Sequence, residues 1–118
     1  TLIDKNGVVV PVLGSTSSSS KTVGHAETIW RSAVELAESG EYEYITLQRS
    51  WRTARGYVGR SPRIPDNIAV PSSRGVEALE VRSKSDRTTQ LMDRLQVGMR
   101  SLPEERQGRF DVIAPLTQ

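Results

Sequence analysis

Cysteine is absent from the chain, and histidine occurs once, at His25. Disulfide staples and thiolate metal sites are therefore excluded. A single histidine also makes a paired imidazole acid and base hard to arrange. Aromatic residues are few, one Phe, two Trp and three Tyr, and nothing in that set suggests a large ligand cavity. No apolar run approaches the roughly 20 residues that span a bilayer. The first residues also lack the basic-then-apolar layout of a secretory leader. If the protein leaves its cell, the export information is expected elsewhere in a longer polypeptide.

What remains is a chain of 118 residues, enough for one modest hydrophobic core and too little for two. A formal net charge of +2 decides little by itself. Its distribution decides more. Arg49, Arg52, Arg55, Arg60 and Arg63 fall in one stretch with no acid between them, a local field suited to polyphosphate. Trp51 and Tyr57 are interleaved with these arginines, either to stack on an exposed base or, for Trp51, to join the core.

The hydrophobic pattern divides the chain into elements. Residues 1–23 read as a flexible N-terminal arm: Val8–Leu13 could form a short strand after an Asn6-Gly7 turn, but a serine-rich tract follows. Residues 24–118 read as the domain. Ala26, Ile29, Ala33, Leu36 and Ala37 recur at helical spacing before Gly40. Tyr42–Leu47 alternates in polarity and predicts a strand with Ile45 and Leu47 on its covered face. Asn67–Val70 and Val76–Val81, joined through Pro71–Gly75, predict a β-hairpin. Ser85 or Asp86 can cap a second helix carrying the stripe Leu91, Met92, Leu95, Met99 and Leu102, and Phe110–Ile113 predicts a last strand. The expected fold is α/β (α+β), with element order αβββαβ and a central mixed sheet flanked by helices.

The chemistry concentrates on the hairpin. Asp66 opens its first strand and Glu80 lies near the end of its second, with Arg82 and Lys84 just beyond. Strand alternation predicts Glu80, Arg82 and Lys84 on one face and Leu79 and Val81 on the other. An antiparallel return brings Glu80 towards Asp66, and two hard oxygen ligands so placed suit Mg2+ or another divalent cation such as Mn2+. Such a cation offsets the repulsion between the acids. An adjacent cation, Arg82 or Lys84, could position water or neutralise a phosphoryl transition state.

Pro65-Asp66, a spacer, and Glu80-Val81-Arg82-Ser83-Lys84 together resemble the signature of the PD-(D/E)xK nuclease superfamily. The resemblance covers Gly24 to Ile113 and implies the restriction-endonuclease-like core. The family lysine stands two residues after the acid; Arg82 occupies that place here and the lysine is Lys84, so either is a candidate. Arginine is a poor proton acceptor. By the same resemblance Glu27 on the first helix would add an acid to the metal site, and Gln90 on the second would reach towards it. His25 is a further candidate accessory residue.

Arg63-Ile64-Pro65-Asp66 and Glu80 to Lys84 also resemble C-terminal toxin domains of contact-dependent growth inhibition and Rhs-type proteins. That resemblance implies a secreted or surface-delivered effector that cleaves DNA or tRNA in a target cell's cytoplasm and is neutralised by a cognate immunity protein. Two other readings are open: a noncatalytic basic module that binds nucleic acid or protein, and a metal-independent ribonuclease using His25.

Overall fold

Helical spacing decides which way the first helix faces. In the computed structural model, which describes residues 1–16, 22–51, 63–84 and 86–115, α1 spans His25–Glu38. His25, Thr28, Ile29, Ser32, Ala33 and Ala37 are its buried residues, one continuous stripe. Gly40 ends it in the left-handed region at φ 75, with its N–H bonded to the Ala37 carbonyl.

Three strands follow: β4 (Tyr44–Leu47), β5 (Asn67–Val70) and β6 (Glu77–Val81). Three short strands precede α1: β1 (Leu2–Ile3), β2 (Val9–Val10) and β3 (Val12–Gly14). After β6 come α2 (Thr88–Arg100), a single 3₁₀ turn at Glu104–Arg106, and β7 (Phe110–Ile113). The main sheet has the order β3-β4-β5-β6-β7. The β4–β5 and β5–β6 pairs are antiparallel, whereas β3–β4 and β6–β7 are parallel. The crossover between β3 and β4 passes through α1, and that between β6 and β7 through α2. The αβββαβ order expected from the sequence is present, with β3 added at one edge.

α1 and α2 pack against separate hydrophobic clusters. One joins Ile29, Ala33 and Ala37 to Ile45, Leu47, Ala69 and Val81. The other joins Leu95, Met99 and Leu102 to Trp51, Tyr44, Ile68, Val70 and Ala78. Alternate residues of β4 and β5 thus go to different helices, so the sheet is covered on both faces. This corrects the expectation of one covered face for the strand beginning at Tyr42: all four residues of β4 are buried.

The N-terminal segment also departs from its reading as a tether. β3 pairs with β4 through Val12↔Ile45 and Leu13↔Thr46, and Val10 is buried in the α1 cluster. The short strand expected within Val8–Leu13 is present as β2 and β3, but three residues show no period that would place β3 in the main sheet. Ser17–Lys21 lies outside the described residues. β1 and β2 form a small antiparallel hairpin around Asn6-Gly7, with Asp4 Oδ1 accepting the N–H groups of Asn6 and Val8 at 2.8 and 2.9 Å.

Trp51 is the largest fully buried side chain, and it lies against Gly98 of α2. A Cβ at Gly98 would collide with the indole at Nε1, Cε2 and Cδ1. Glycine here is required by a close approach. The Trp51 N–H also donates to the Arg63 carbonyl at 3.2 Å, so the two ends of the arginine-rich stretch are held together. Between them, residues 52–62 lie outside the described residues.

Candidate active site

The β5–β6 pairing sets Asn67 against Leu79 and Ile68 against Ala78. Continued by one step, it sets Asp66 against Glu80, on the same side as Ile68 and Ala78. The two side chains are hydrogen-bonded to each other. Asp66 is held from three directions. Its Oδ2 accepts the Val81 N–H at 2.7 Å, its Oδ1 accepts from Gln48 Nε2 at 3.4 Å, and His25 Nε2 stands 3.6 Å from Oδ2. His25 Nε2 is also 2.8 Å from the Val81 carbonyl oxygen. A carbonyl only accepts, so Nε2 carries a proton.

These groups line a cavity of about 260 Å³ at the ends of β4, β5 and β6. Trp51, Leu91 and Leu95 supply its apolar wall, and Arg63 and Arg94 bring positive charge. Gln48 sits in the left-handed region at φ 49, the only described non-glycine residue with positive φ. Its buried Oε1 has no hydrogen-bond partner among the described residues. An uncommon backbone conformation thus aims an amide at Asp66.

Burial pushes the Glu80 carboxyl up to about 9, helped by the Asp66 charge and the hydrogen bond to it, with a smaller push from Asp86; Arg94 acts the other way. Burial raises Asp66 as well, opposed by the Val81 N–H, by His25, by Gln48 and by the bond from Glu80. The pair shares one proton, and the Val81 N–H, the Gln48 amide and His25, all directed at Asp66, favour the charge there and the proton on Glu80. Asp86 is lowered, chiefly by the Ser83 hydroxyl.

Glu80 has its usual pKa near 4.5 when unfolded and about 9 when folded, so between those values the folded chain keeps a proton that the unfolded chain releases. Its contribution to stability is fully present below the unfolded pKa and is lost as pH rises through the folded one. In chelator, the unfolding midpoint is expected to fall by roughly 10 °C between about pH 5 and about pH 9, and Glu80→Gln should flatten that slope. Equal slopes in the two proteins would contradict the shared proton.

Glu27, expected beside the acids, is exposed next to Trp30 and Arg31 and does not line the acid cavity; two residues along a helix is more than half a turn, so the stripe that buries His25 turns Glu27 away. Arg82 and Lys84 are exposed and line a neighbouring cleft instead. β6 ends at Val81, which corrects the expectation that Glu80, Arg82 and Lys84 continue one strand face. Beyond it Ser83 is tied by its N–H and hydroxyl to Asp86 Oδ2 at 2.9 and 2.6 Å, and the Lys84 N–H goes to Thr22 Oγ1 at 2.9 Å. Asp86 therefore braces the turn, while Arg87 occupies the helix N-cap without a side-chain cap; Ser85 lies outside the described residues.

Gln90 is exposed; from α2 it is Leu91, Arg94 and Leu95 that line the cavity. Of the five arginines, Arg63 lines the cavity, Arg49 is exposed and does not line it, and Arg52, Arg55 and Arg60 lie outside the described residues, as does Tyr57. Gln48 and Arg94 were missed by sequence reasoning. Arg94 was within reach of it, one helical turn from Leu91 and next to Leu95. No sequence signal marks Gln48.

Among the described residues, no group of three His, Cys, Asp or Glu side chains is disposed to hold a metal ion. The donor set is the opposed pair Asp66 and Glu80, with the His25 Nε2 proton turned to a carbonyl. Two carboxylates fit a magnesium-like cation, which keeps several waters, better than a metal that needs three protein ligands. The fold is a mixed α/β sandwich with this acid pair at the strand ends. Compared with known protein families, with curated proteins and with solved structures, the chain matches none.

Proposed function

We propose that the chain is a divalent-cation-dependent nuclease that hydrolyses phosphodiester bonds of DNA or tRNA. The observation that carries this reading is the placement of Asp66 and Glu80 directly across β5–β6, in one cavity with Arg63 and Arg94. Asp66 and Glu80 would hold Mg2+ or Mn2+, which when bound polarises the phosphate and makes water a better nucleophile. The Val81 N–H and Gln48 orient Asp66 so that its oxygens need not reorganise. Glu80 holds a proton that it must give up when a cation binds. Arg63 and Arg94 attract the phosphate, and Arg94 also favours the ionised form that Glu80 takes when a cation displaces its proton. Trp51, Leu91 and Leu95 limit water on the inner side.

The resemblance carried by Arg63–Asp66 and Glu80–Lys84 extends the proposal to a toxin module of a larger delivered protein, active in a target cell and blocked by an immunity protein. A second reading is favoured by His25, which shares the cavity with the protonated Glu80: metal-independent acid–base cleavage of RNA. One experiment separates them. Purified chain is incubated with plasmid and with total tRNA, with Mg2+, with Mn2+ and with excess chelator. Cleavage that needs the cation is the expected result. Full activity in chelator favours the second reading, and no cleavage under any condition leaves only a binding module.

A further inference from the structure

We propose that the cleft carrying Arg82 and Lys84 is a second phosphate subsite, which grips the backbone of the nucleic-acid strand beside the bond held at Asp66 and Glu80. The inference rests on the nuclease reading for its orientation, and reassigns both cations from chemistry to binding.

The cleft measures about 620 Å³, against about 260 Å³ for the acid cavity, and is lined by Thr22, Val23, Arg82, Ser83, Lys84, Asp86 and Pro115. Ser83 and Asp86 line both spaces, so the two are separated by one shared wall rather than by the body of the protein. A strand whose one phosphate faces Arg63 and Arg94 would thus meet this cleft with a neighbouring one. Among the described residues of the cleft lining Asp86 alone carries a carboxylate, and it is occupied with the Ser83 N–H and hydroxyl. That bracing fixes the wall itself.

Both cations are exposed, and neither forms an ion pair among the described residues. Their backbones are nevertheless anchored: the Arg82 N–H donates to the Ile113 carbonyl at 2.9 Å and the Lys84 N–H to Thr22 Oγ1 at 2.9 Å. Anchored stems with solvated heads suit a planar fork and a point charge aimed at phosphate oxygens. Such contacts position a strand and carry no base information, so the grip should be indifferent to sequence.

The test uses the full chain carrying Glu80→Gln, so that binding is read without cleavage. Its affinity for fluorescein-labelled single-stranded DNA, duplex DNA and tRNA is measured across a salt series. The same series is run after adding Arg82→Gln and Lys84→Gln, and after adding Arg31→Gln, which removes a charge beside Trp30 on α1. The expected result is a loss of roughly tenfold for the Arg82/Lys84 pair, with the salt slope reduced by about one for each phosphate that is no longer neutralised. Arg31→Gln should do much less. Equal losses from Arg31→Gln would mean a diffuse charge effect, and unchanged affinity would mean no subsite; either overturns the proposal. Saturable binding of inorganic phosphate to the cleft, with nucleic-acid affinity unaffected by the paired substitution, overturns it too.

In the chain with Glu80 intact, the paired substitution should raise KM while kcat stays within about twofold. A fall in kcat with KM unchanged would return Arg82 or Lys84 to the chemistry. If no cleavage is found but binding still depends on these two residues, the subsite stands and the nuclease reading alone fails.

Discussion

Glu80→Gln is expected to lower nucleic-acid cleavage on the order of 10³-fold or more, which corresponds to about 4 kcal/mol of lost transition-state stabilisation. Stability should not fall with it. The amide N–H₂ can replace the carboxyl O–H that Glu80 directs at Asp66, and the volume is conserved. Thermal unfolding near neutral pH in chelator should therefore be unchanged or shifted upwards, whereas any rise in midpoint on adding Mg2+ should disappear. Asp66 is a poorer place for the same test. Its carboxylate accepts the buried Val81 N–H at 2.7 Å, and Asp66→Ala would orphan that donor at a cost of about 1–3 kcal/mol. Loss of activity there would mix chemistry with folding. A Glu80→Gln protein that still cuts both plasmid and tRNA at the wild-type rate removes the acid pair from the mechanism.

The second large effect concerns Gly98→Ala. Helix propensity alone favours alanine in the interior of α2 by about 1 kcal/mol. Packing opposes it, because the new methyl would collide with the Trp51 indole, which is 1% exposed and cannot retreat without opening the α2 cluster. Overpacking of this kind costs ~1–3 kcal/mol and occasionally more, so the net expectation is a destabilisation of about 2 kcal/mol and a midpoint lower by roughly 8 °C. Activity should fall even well below that midpoint, since Trp51 also lines the acid cavity. Adding Trp51→Leu should restore part of the stability lost in Gly98→Ala, a non-additive response expected of groups that collide. A Gly98→Ala protein more stable than wild type would mean that propensity outweighs the collision.

Much of this was legible in the order of the residues, for reasons that differ from element to element. α1 and α2 carry stripes several turns long, and β5 and β6 are bounded by Pro65 and by the Pro71–Gly75 turn, so period and punctuation agreed. A strand in Val8–Leu13 could be expected, but β3 is three residues long and shows no period that would place it at the sheet edge. The acid pair could be anticipated because antiparallel return is the cheapest connection between Val70 and Val76. What surrounds the acids was less accessible. Glu27 and His25 differ by two positions, and only the packing of Ile29 and Ala33 decides which of them faces the sheet ends. Arg82 and Lys84 were misplaced by extending strand geometry past Val81, where the Ser83–Asp86 hydrogen bonds take over. Gln48 depends on a left-handed backbone angle that its neighbours in sequence do not announce.

The connection from Pro71 to Gly75 acts as a ruler. Loops at a surface ordinarily accept insertions with little penalty. This one sits far along the ladder from the acids yet decides whether they meet: one residue more or fewer, if taken up by sliding β6, would turn Glu80 towards α1 and present Leu79 or Val81 to the arginines. Reactivity at one end of the sheet is thus metered by the length of a bend at the other, so drift there is constrained by chemistry it never touches.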